Sequence, residues 1–310
     1  MVLKNFTVRD FCSSFGIKEN ELSISVKKKI DSLDFTYKEI KGEELQSLIF
    51  NILKSIDGDK QIIGEKGRKN VWEKGWEENL NEFKDSNYDE LKLIPKFIRP
   101  GNPIRLNQKY VIPSNPDFEL NFVKVCRQWF LEYYFSGFKN IYEFGCGTGF
   151  NLVAAAKLFP NALLFGSDFV QSSVDLVNEI SVSKNINIKG DIFDLINPNY
   201  DYKIKNNSGI FTFGALEQLA SKIDNIVEYL IIQKPEICVH VEPVIELYDK
   251  DNFIDYLAIK FQGKRRYTEG LLPKLYKLKK SGKIDILKVK RLFFGSLMME
   301  GYNLIVWRPF

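Results

Sequence analysis

The amino-acid sequence predicts an α/β fold with a seven-stranded, mostly parallel sheet flanked by helices. From residue 140 onward, apolar runs of strand length alternate with stretches of helix length, as in sheets built from strand–helix–strand units. The last two apolar runs, 284–292 and 302–309, have only a short link between them, and closely linked strands pair antiparallel. We therefore expect an antiparallel C-terminal hairpin strand at one edge of the sheet.

Residues 1–112 are predicted to form a mainly helical N-terminal appendage that ends in a connector. Four prolines between residues 95 and 115 predict an irregular connector, because proline removes a backbone donor. A helix over Val71–Phe83 is predicted from apolar side chains at helical spacing, which are Trp72, Trp76, Leu80 and Phe83. We interpret the tryptophans as packing the appendage onto the main domain, with an aromatic wall over the active site as the alternative.

Residues 113–310 are predicted to form the main domain, which opens with a helix over 117–135. The strands that follow are expected at 140–145, 162–167, 185–189, 209–213 and 236–242. The helices between them are expected at 149–159, 171–180 and 217–233. An excursion over 247–283 precedes the last two strands, and we interpret it as a cap over a substrate pocket.

A glycine-rich loop follows the first strand of this domain. Gly145, Gly147 and Gly149 lie between an apolar strand and the start of a helix. Glycine permits positive φ and close approach of a ligand, while the helix N-terminus presents free amide groups. Dinucleotide-binding loops favour G-x-G-x-x-G, whereas the order here is G-x-G-x-G and Phe150 replaces the last glycine. The spacing therefore disfavours a nicotinamide oxidoreductase.

This loop resembles motif I of the class I S-adenosylmethionine-dependent methyltransferases. The resemblance covers residues 116–310 and implies a Rossmann-like fold with S-adenosylmethionine as cofactor. It places Glu143, two positions before the first glycine, near the methionine amino end of the cofactor. Cys146 and Thr148 complete the loop and are carried over as cofactor-binding residues.

The ends of the next strands carry the other residues that the resemblance assigns to the cofactor. Asp168 follows the loop by about 20 residues, the distance at which an acid accepts hydrogen bonds from ribose hydroxyls. We expect its side chain to face an open ligand crevice. The remaining residues assigned to the cofactor are Phe169, Asp191, Ile192, Phe213 and Gly214.

Three residues are candidates for catalysis. Glu217 lies in a segment that resembles the family's apolar-Leu-Glu-His-apolar stretch, although Gln218 stands where histidine is common and cannot act as a base. His240 and Glu242 lie near the end of the fifth strand, at the edge where open α/β sheets bind ligands. The alternatives are a helix-capping role for Glu217 and hydrogen bonding inside the fold for His240 and Glu242.

The predicted cap contains Arg265, Arg266 and Tyr267, which are candidates for substrate binding. Arginine side chains form forked hydrogen bonds to carboxylate or phosphate groups. The alternative is a solvated helical face.

Composition favours a cytoplasmic enzyme of small molecules. The formal net charge is only +4, which is too small and scattered to indicate a nucleic-acid binder. Four cysteines show no metal-ligand spacing, so no metal is expected, and free thiols fit a reducing compartment. The sequence shows neither the apolar run of a signal peptide nor a membrane span.

These features predict a methyltransferase that acts on an oxygen or nitrogen of a small molecule, with a sugar or glycan precursor as one acceptor class. RNA or protein methylation is the second interpretation. Adenine amino methylation commonly uses Asp/Asn-Pro-Pro-aromatic after the fourth strand, where this chain has Phe-Gly-Ala-Leu. The third interpretation is a non-catalytic S-adenosylmethionine-binding or scaffold protein.

Overall fold

The computed structural model describes residues 2–63 and 68–310 of the chain. In chain order the strands are β1 (Lys4–Asn5), β2 (Thr36–Glu39), β3 (Ile104–Leu106), β4 (Lys109–Pro113), β5 (Asn140–Phe144), β6 (Leu163–Asp168), β7 (Ile188–Ile192), β8 (Ser208–Phe213), β9 (Ile237–Glu242), β10 (Ile284–Lys290), β11 (Phe294–Gly295) and β12 (Asn303–Pro309). The helices are α1 (Val8–Phe15), α2 (Ile24–Asp31), α3 (Gly42–Gly58), α4 (Arg68–Asp85), α5 (Phe118–Phe135), α6 (Phe150–Leu158), α7 (Gln171–Lys184), α8 (Ile223–Gln233), α9 (Phe253–Arg265) and α10 (Leu271–Lys280).

The main sheet contains seven strands in the order β10-β12-β9-β8-β5-β6-β7. Strands β5 to β9 pair in parallel, whereas β12 pairs antiparallel with both β9 and β10. The strand order reverses between β5 and β8, which is the point where open α/β sheets bind ligands. The predicted fold, with its reversed C-terminal strand, is confirmed.

The central strands are apolar because helices cover both faces of the sheet. All side chains of β5 and β9 are buried, as expected for parallel strands with no solvated face. Strand β7 begins three residues later than predicted, and the helix expected at 217–233 begins at Ile223 after a short 3-10 turn over Leu216–Leu219. This turn forms part of the site described below.

The connector contains two strands, against the prediction of an irregular segment. β3 and β4 form a hairpin whose turn residues, Asn107 and Gln108, have positive φ. The prolines lie outside the paired core of this hairpin, so they do not prevent its ladder. The hairpin belongs to a five-stranded sheet of order β1-β2-β4-β3-β11, and the predicted boundary after residue 112 falls inside β4.

The N-terminal residues share an apolar core with the main domain. The Phe15 ring stacks on Trp129 of α5 at a centroid distance of 3.9 Å, and Phe11 stacks on Phe122 at 5.3 Å. These rings bury large apolar areas, which is the main favourable contribution to packing. The N-terminal region is therefore packed directly against the helix that precedes β5.

The excursion between β9 and β10 consists of α9, α10 and their links. Helix α9 packs beside α3, so the two helices enclose a space above the carboxyl ends of the strands. No helix in the described parts of the chain combines the length and apolarity needed to cross a membrane.

Candidate functional site

The glycine loop at residues 145–149 adopts a conformation that requires glycine. Gly145, Gly147 and Gly149 have φ of 73°, 52° and 72°. A Cβ on Gly145 would lie 2.4 Å from the Cβ of Ala215, so no larger residue fits there without a shift. Gly149 is the N-cap of α6. The loop thus lies tightly against the start of the segment after β8 and turns directly into a helix.

The side chains of Cys146 and Thr148 point into the fold. Both are buried, and the Thr148 hydroxyl donates a 2.6 Å hydrogen bond to the carbonyl oxygen of Leu93. The Ser173 hydroxyl donates to the carbonyl of Gly147 at 2.6 Å. These bonds fix the loop between α7 and the N-terminal region, so Cys146 and Thr148 can offer a ligand only their backbone.

Glu143 places a buried carboxylate beneath the loop. Its Oε1 accepts a 2.8 Å hydrogen bond from the Asn151 amide, but its Oε2 has no hydrogen-bond partner among the described residues. Burial raises the pKa of Glu143 to about 8, with the hydrogen bond from Asn151 and the charge of Arg127 opposing that rise. An unpaired buried carboxylate oxygen is costly, and a cationic ligand would satisfy it.

Asp168 lies at the end of β6, as predicted, but it is turned onto the loop. Its Oδ2 accepts a 3.0 Å hydrogen bond from the Gly147 amide, and its Oδ1 accepts one of 2.8 Å from the Phe169 amide. The side chain is only 5% exposed, against the expectation of an open crevice. Burial raises the pKa of Asp168 to about 6, while the amide hydrogen bonds lower it.

Helix α4 covers this part of the site. A Cβ on Gly147 would lie 3.0 Å from the ring of Trp76, whose indole stacks on Trp72 at 5.3 Å. Glu73 fixes the helix, because its carboxylate accepts hydrogen bonds from the Gln171 and Ser172 amides at the start of α7. Trp76 thus packs α4 onto the glycine loop of the main domain, in agreement with the first sequence interpretation, and we call the Trp72–Trp76 pair the aromatic wall.

The ends of β6 and β7 form an open edge beside the covered loop. Asp168 and Ile192 are paired in the parallel register, which brings Phe169 and Asp191 to the same end of the sheet. Ile192 is 49% exposed, Phe169 is half-buried, and Asp191 forms a 2.8 Å ion pair with Lys189. The structure therefore brings these predicted residues together as a surface with an exposed apolar side chain.

A cavity of about 770 Å³ lies on the other side of the wall. Phe213 and Gly214, at the end of β8, form part of its lining, together with residues of α3, α9 and the link before β12. Its aromatic lining residues are Trp72, Phe97, Phe213, Phe261, Tyr267 and Tyr302. The lining also contains charged and other polar side chains, and such a concave space with aromatic walls and convergent polar groups can bind a small molecule.

Three carboxylates line this cavity, and one of them, Asp59, is paired with Arg265. Glu217 is one of the predicted candidates, and it is half-buried. Glu119 was not predicted; it is 6% exposed, and its Oε1 accepts a 3.0 Å hydrogen bond from the Tyr302 hydroxyl. Burial raises the pKa of Glu119 to about 7, and the hydrogen bond from Tyr302 opposes that rise. No sequence signal marks Glu119, because the fold brings it beside a residue 183 positions away.

Two of the three predicted substrate-binding residues of the cap line the cavity, and the third does not. Arg265 and Tyr267 line the cavity, and Arg265 Nε forms a 2.5 Å ion pair with Asp59 Oδ2. Arg266 is exposed at the C-cap of α9 and does not line the cavity, so the structure does not support its predicted role. Tyr267 forms an edge-on contact with Phe261, at a centroid distance of 6.0 Å.

His240 lies in the sheet interior, which agrees with the alternative that it forms hydrogen bonds inside the fold. The Trp307 indole donates a 2.9 Å hydrogen bond to His240 Nε2, and His240 Nδ1 shares one of 2.9 Å with the Thr212 hydroxyl. Burial lowers the pKa of His240 to about 3, so the ring is neutral at physiological pH. Both ring nitrogens are therefore used in holding β8, β9 and β12 together.

Glu242 also forms hydrogen bonds inside the fold, which was the alternative to a catalytic role. It is fully buried, and its carboxylate accepts hydrogen bonds of 3.1 Å from the Ala215 and Leu216 amides. These bonds cap the 3-10 turn that carries Glu217. Burial raises the pKa of Glu242 to about 7. Its contribution to the site is to position the turn.

No family model matches the chain, and no curated protein does. Similar solved structures include N,N-8-amino-8-demethyl-D-riboflavin dimethyltransferase from Streptomyces davawensis, at 14% identity, a TM-score of 0.43, and coverage of 62% of this chain and 56% of that one. The pyocyanin biosynthetic protein PhzM has 11% identity and a TM-score of 0.44, with coverage of 63% and 59%. The plantazolicin methyltransferase BpumL has 15% identity and a TM-score of 0.41, with coverage of 63% and 91%.

The chain thus matches less than two thirds of the first of these proteins. At such identities and scores, the likenesses are too distant to carry any neighbour's substrate over to this chain. Within the described residues, no group of three or more His, Cys, Asp or Glu side chains is placed to hold a metal ion.

Proposed function

We propose that this chain is an S-adenosylmethionine-dependent methyltransferase that acts on an oxygen or nitrogen of a small molecule. The observation that carries the proposal is the buried Glu143 oxygen, which has no hydrogen-bond partner in the part of the chain that the structure describes. It lies directly before a loop of three positive-φ glycines at the switch point of the sheet. A ligand with a cationic amino end and a nucleoside fits this arrangement, because the carboxylate needs a cation and the loop permits close approach.

The residues of the site fit the methionine, ribose and adenine parts of this cofactor. Glu143 would hold the amino group of the methionine moiety, and the loop backbone would lie against its chain. Asp168 would accept from the ribose hydroxyls through its remaining lone pairs, and Phe169 and Ile192 would contact the adenine. When bound, the cofactor supplies a methyl group activated by a sulfonium, and it leaves as S-adenosylhomocysteine.

The aromatic wall must open for this ligand. Trp76 lies against Gly147, so its side chain occupies the space next to the loop. Glu73 and Phe83 anchor the rest of α4, and a change of side-chain conformation at Trp76 therefore requires less rearrangement than displacement of the helix. Closure over a bound ligand would then exclude water from the site.

The acceptor would occupy the 770 Å³ cavity, since Phe213 and Gly214 form its boundary with the carboxyl ends of the strands. Its aromatic side chains favour an acceptor that contains a ring, and either a sugar or a planar aromatic ring can pack on such walls. This size accommodates a small molecule rather than a folded protein or a nucleic-acid duplex.

We assign deprotonation of the acceptor to Glu119. Its carboxylate lies in the cavity wall and its pKa of about 7 matches a base that works near neutral pH. Glu119 would take up the proton of the acceptor O–H or N–H group, which would leave an electron pair on the acceptor oxygen or nitrogen free for methylation. Tyr302 orients the carboxylate through its hydrogen bond.

Calorimetry with S-adenosylmethionine and S-adenosylhomocysteine tests the cofactor assignment. We expect both to bind with micromolar affinity, and Glu143→Gln to weaken the binding. Gly263→Ala is the matched control, because a Cβ there meets nothing within 4 Å. Absence of binding at about 1 mM would refute the proposal, since that limit corresponds to only about 4 kcal/mol.

Release of S-adenosylhomocysteine in the presence of phenols, naphthols, sugars and amines tests the reaction. Turnover with any of them supports a small-molecule methyltransferase. Cofactor binding without turnover on any acceptor, combined with binding of a protein partner, would favour the scaffold interpretation.

A further inference from the structure

A second pocket lies outside the cofactor and acceptor sites, between α2, α5, α6 and the short 3-10 turn Glu90–Leu93. Its volume is about 310 Å³, which is room for about ten water molecules. Four of the lining residues are basic, and these are Lys29, Lys124, Arg127 and Lys157. Glu90 is the acidic residue in the lining, and it forms an ion pair with Lys157. None of the other three cations forms an ion pair with a described residue, although the charges of Glu143 and Glu90 both act on Arg127.

Arg127 is the buried centre of this cluster. It is 7% exposed, its Nη1 donates a 2.8 Å hydrogen bond to the carbonyl of Phe150, and its guanidinium lies 4.0 Å above the Phe150 ring. Within the described residues, no acceptor lies on its Nε or Nη2. Neither nitrogen is among the fully buried polar atoms without a partner, so these donors are accessible to an anion or to water in the pocket.

Lys29 and Lys124 approach this guanidinium from two different helices. Both are half-buried, and neither forms an ion pair with any described residue. Burial lowers the pKa of Lys29, and the charges of Arg127 and Lys124 lower it further. Burial and then the charge of Arg127 likewise lower the pKa of Lys124. Glu132 opposes this effect on Lys29 and Asp117 opposes it on Lys124, but each acts more weakly than the charge of Arg127. An anion between the three cations would remove the remaining repulsion.

Apart from Gln128 and Glu90, the rest of the pocket is apolar. Its aliphatic lining residues are Leu91, Leu93, Ile94, Val153, Ala154 and Leu158. An inorganic anion alone would leave these side chains against water. An anionic group on a small apolar body would satisfy both parts of the wall.

We propose that the pocket bounded by Lys29, Lys124 and Arg127 is a binding site for a small organic phosphate, with the phosphate on the three cations and an apolar body on the aliphatic wall. Lysine and arginine together are the usual ligands of a phosphate group. The site is separate from the acceptor cavity, because the two share no lining residue. The proposal does not depend on the proposed methyl transfer.

Calorimetry of the full chain with phenyl phosphate, inorganic phosphate and benzyl alcohol tests this site. We expect phenyl phosphate to bind more tightly than inorganic phosphate, and benzyl alcohol not to bind at similar concentrations. Lys29→Met and Lys124→Met should each weaken phenyl phosphate binding by about tenfold or more, as expected for loss of a charge-assisted hydrogen bond. Lys277→Met, which removes an exposed lysine of α10, is the matched control and should leave the affinity unchanged.

Thermal unfolding provides the second measurement. Phenyl phosphate should raise the Tm of the parent and of Lys277→Met, but not that of Lys29→Met/Lys124→Met. The two lysine variants should fold, because each removes a charge that is repelled in the native state. Equal binding by all variants would overturn the proposal and place the phosphate elsewhere, for example at the N-terminus of α6. Absence of phenyl phosphate binding at about 10 mM would overturn it as well.

Discussion

Glu143 links cofactor binding to pH. Its carboxyl group has a pKa of about 8 without ligand, so it is mostly protonated at pH 7. A cationic ligand needs the ionised form, and its binding must therefore release a proton. We predict that the affinity for S-adenosylhomocysteine rises by up to about tenfold per pH unit below pH 8 and levels off above it. Calorimetry from about pH 6 to about pH 9 in buffers of different ionisation enthalpy measures both the slope and the released proton.

Glu143→Gln is the control for this dependence, since the amide has no charge to lose. Its residual binding should be less dependent on pH than that of the parent. The same substitution has a consequence for the ligand-free protein. A raised carboxyl pKa stabilises the fold below the unfolded pKa, and this stabilisation is lost as pH rises toward 8. Glu143→Gln should therefore raise the Tm more at pH 8 than at pH 5, and the opposite trend would contradict the burial argument.

Substitution of Glu119 should change the reaction rate rather than cofactor binding, because Glu119 acts on the acceptor. Glu119→Gln should lower kcat by roughly 10²- to 10⁴-fold, the usual contribution of a general base, and leave the affinity for S-adenosylhomocysteine unchanged. In the parent, kcat should rise with pH and reach a plateau above about pH 7, since the base must be ionised. Steady-state kinetics with an acceptor identified by the screen measures both effects.

Tyr302→Phe separates proton transfer from a packing role. The Tyr302 hydroxyl lowers the pKa of Glu119, so its removal should shift the rising limb of the pH profile to higher pH. A loss of kcat with no shift in the profile would assign Glu119 to packing or to acceptor orientation.

At the scale of single residues, the sequence predicted positions in the fold better than roles. Glu143, Asp168 and Asp191 lie at the predicted ends of strands because strand alternation and the glycine loop fix those ends. His240 and Glu242 also lie at the predicted edge, but each finds partners on a neighbouring segment. Such partners come from tertiary packing, which the local pattern does not contain.

Helix α4 is the element that controls access to the glycine loop. If Trp76 must leave Gly147 before the cofactor binds, the apparent affinity is reduced by the fraction of open molecules. We predict that Trp76→Ala lowers the Kd for S-adenosylhomocysteine by about tenfold, since minor open states are commonly populated at about a tenth or less. Stopped-flow measurement of tryptophan fluorescence should show that the gain is in the association rate.

Val71→Ala is the control for this element, because Val71 is exposed on the same helix and should leave both rate constants unchanged. Weaker binding by Trp76→Ala, with faster dissociation, would mean that the ring contacts the bound ligand instead of obstructing it.

At the scale of elements, the helical and long strand patterns were predictable, and the second sheet was not. β1 and β11 contain two residues each, too few to show an alternation. β11 pairs with β3, which lies about 190 residues earlier in the chain, and this pairing depends on the position of the completed main sheet. The sequence interpretation also gave the prolines of the connector more weight than the apolar Ile104 and Leu106, and it therefore missed β3.

The molecule as a whole is joined by a buried ion cluster behind the acceptor cavity. Arg291, in the link after β10, lies between two fully buried carboxylates, Asp255 of α9 and Glu300 before β12. Its Nε is 2.6 Å from Glu300 Oε2, and its Nη1 is 2.6 Å from Asp255 Oδ2. The cluster therefore connects the cap, the edge of the main sheet and the link that leads to Tyr302.

Removal of one partner from such a cluster leaves buried charges without compensation, and this costs more than the ion pairs themselves contribute. Arg291→Met should therefore lower the free energy of unfolding by about 3 to 5 kcal/mol. Arg308→Met is the matched control, because Arg308 is half exposed and 3.9 Å from Asp285, and it should change stability by less than about 1 kcal/mol. Urea unfolding followed by far-UV circular dichroism measures both values. A similar small effect for the two variants would show that water screens the Arg291 cluster, and the cap would then be free to move independently of the sheet.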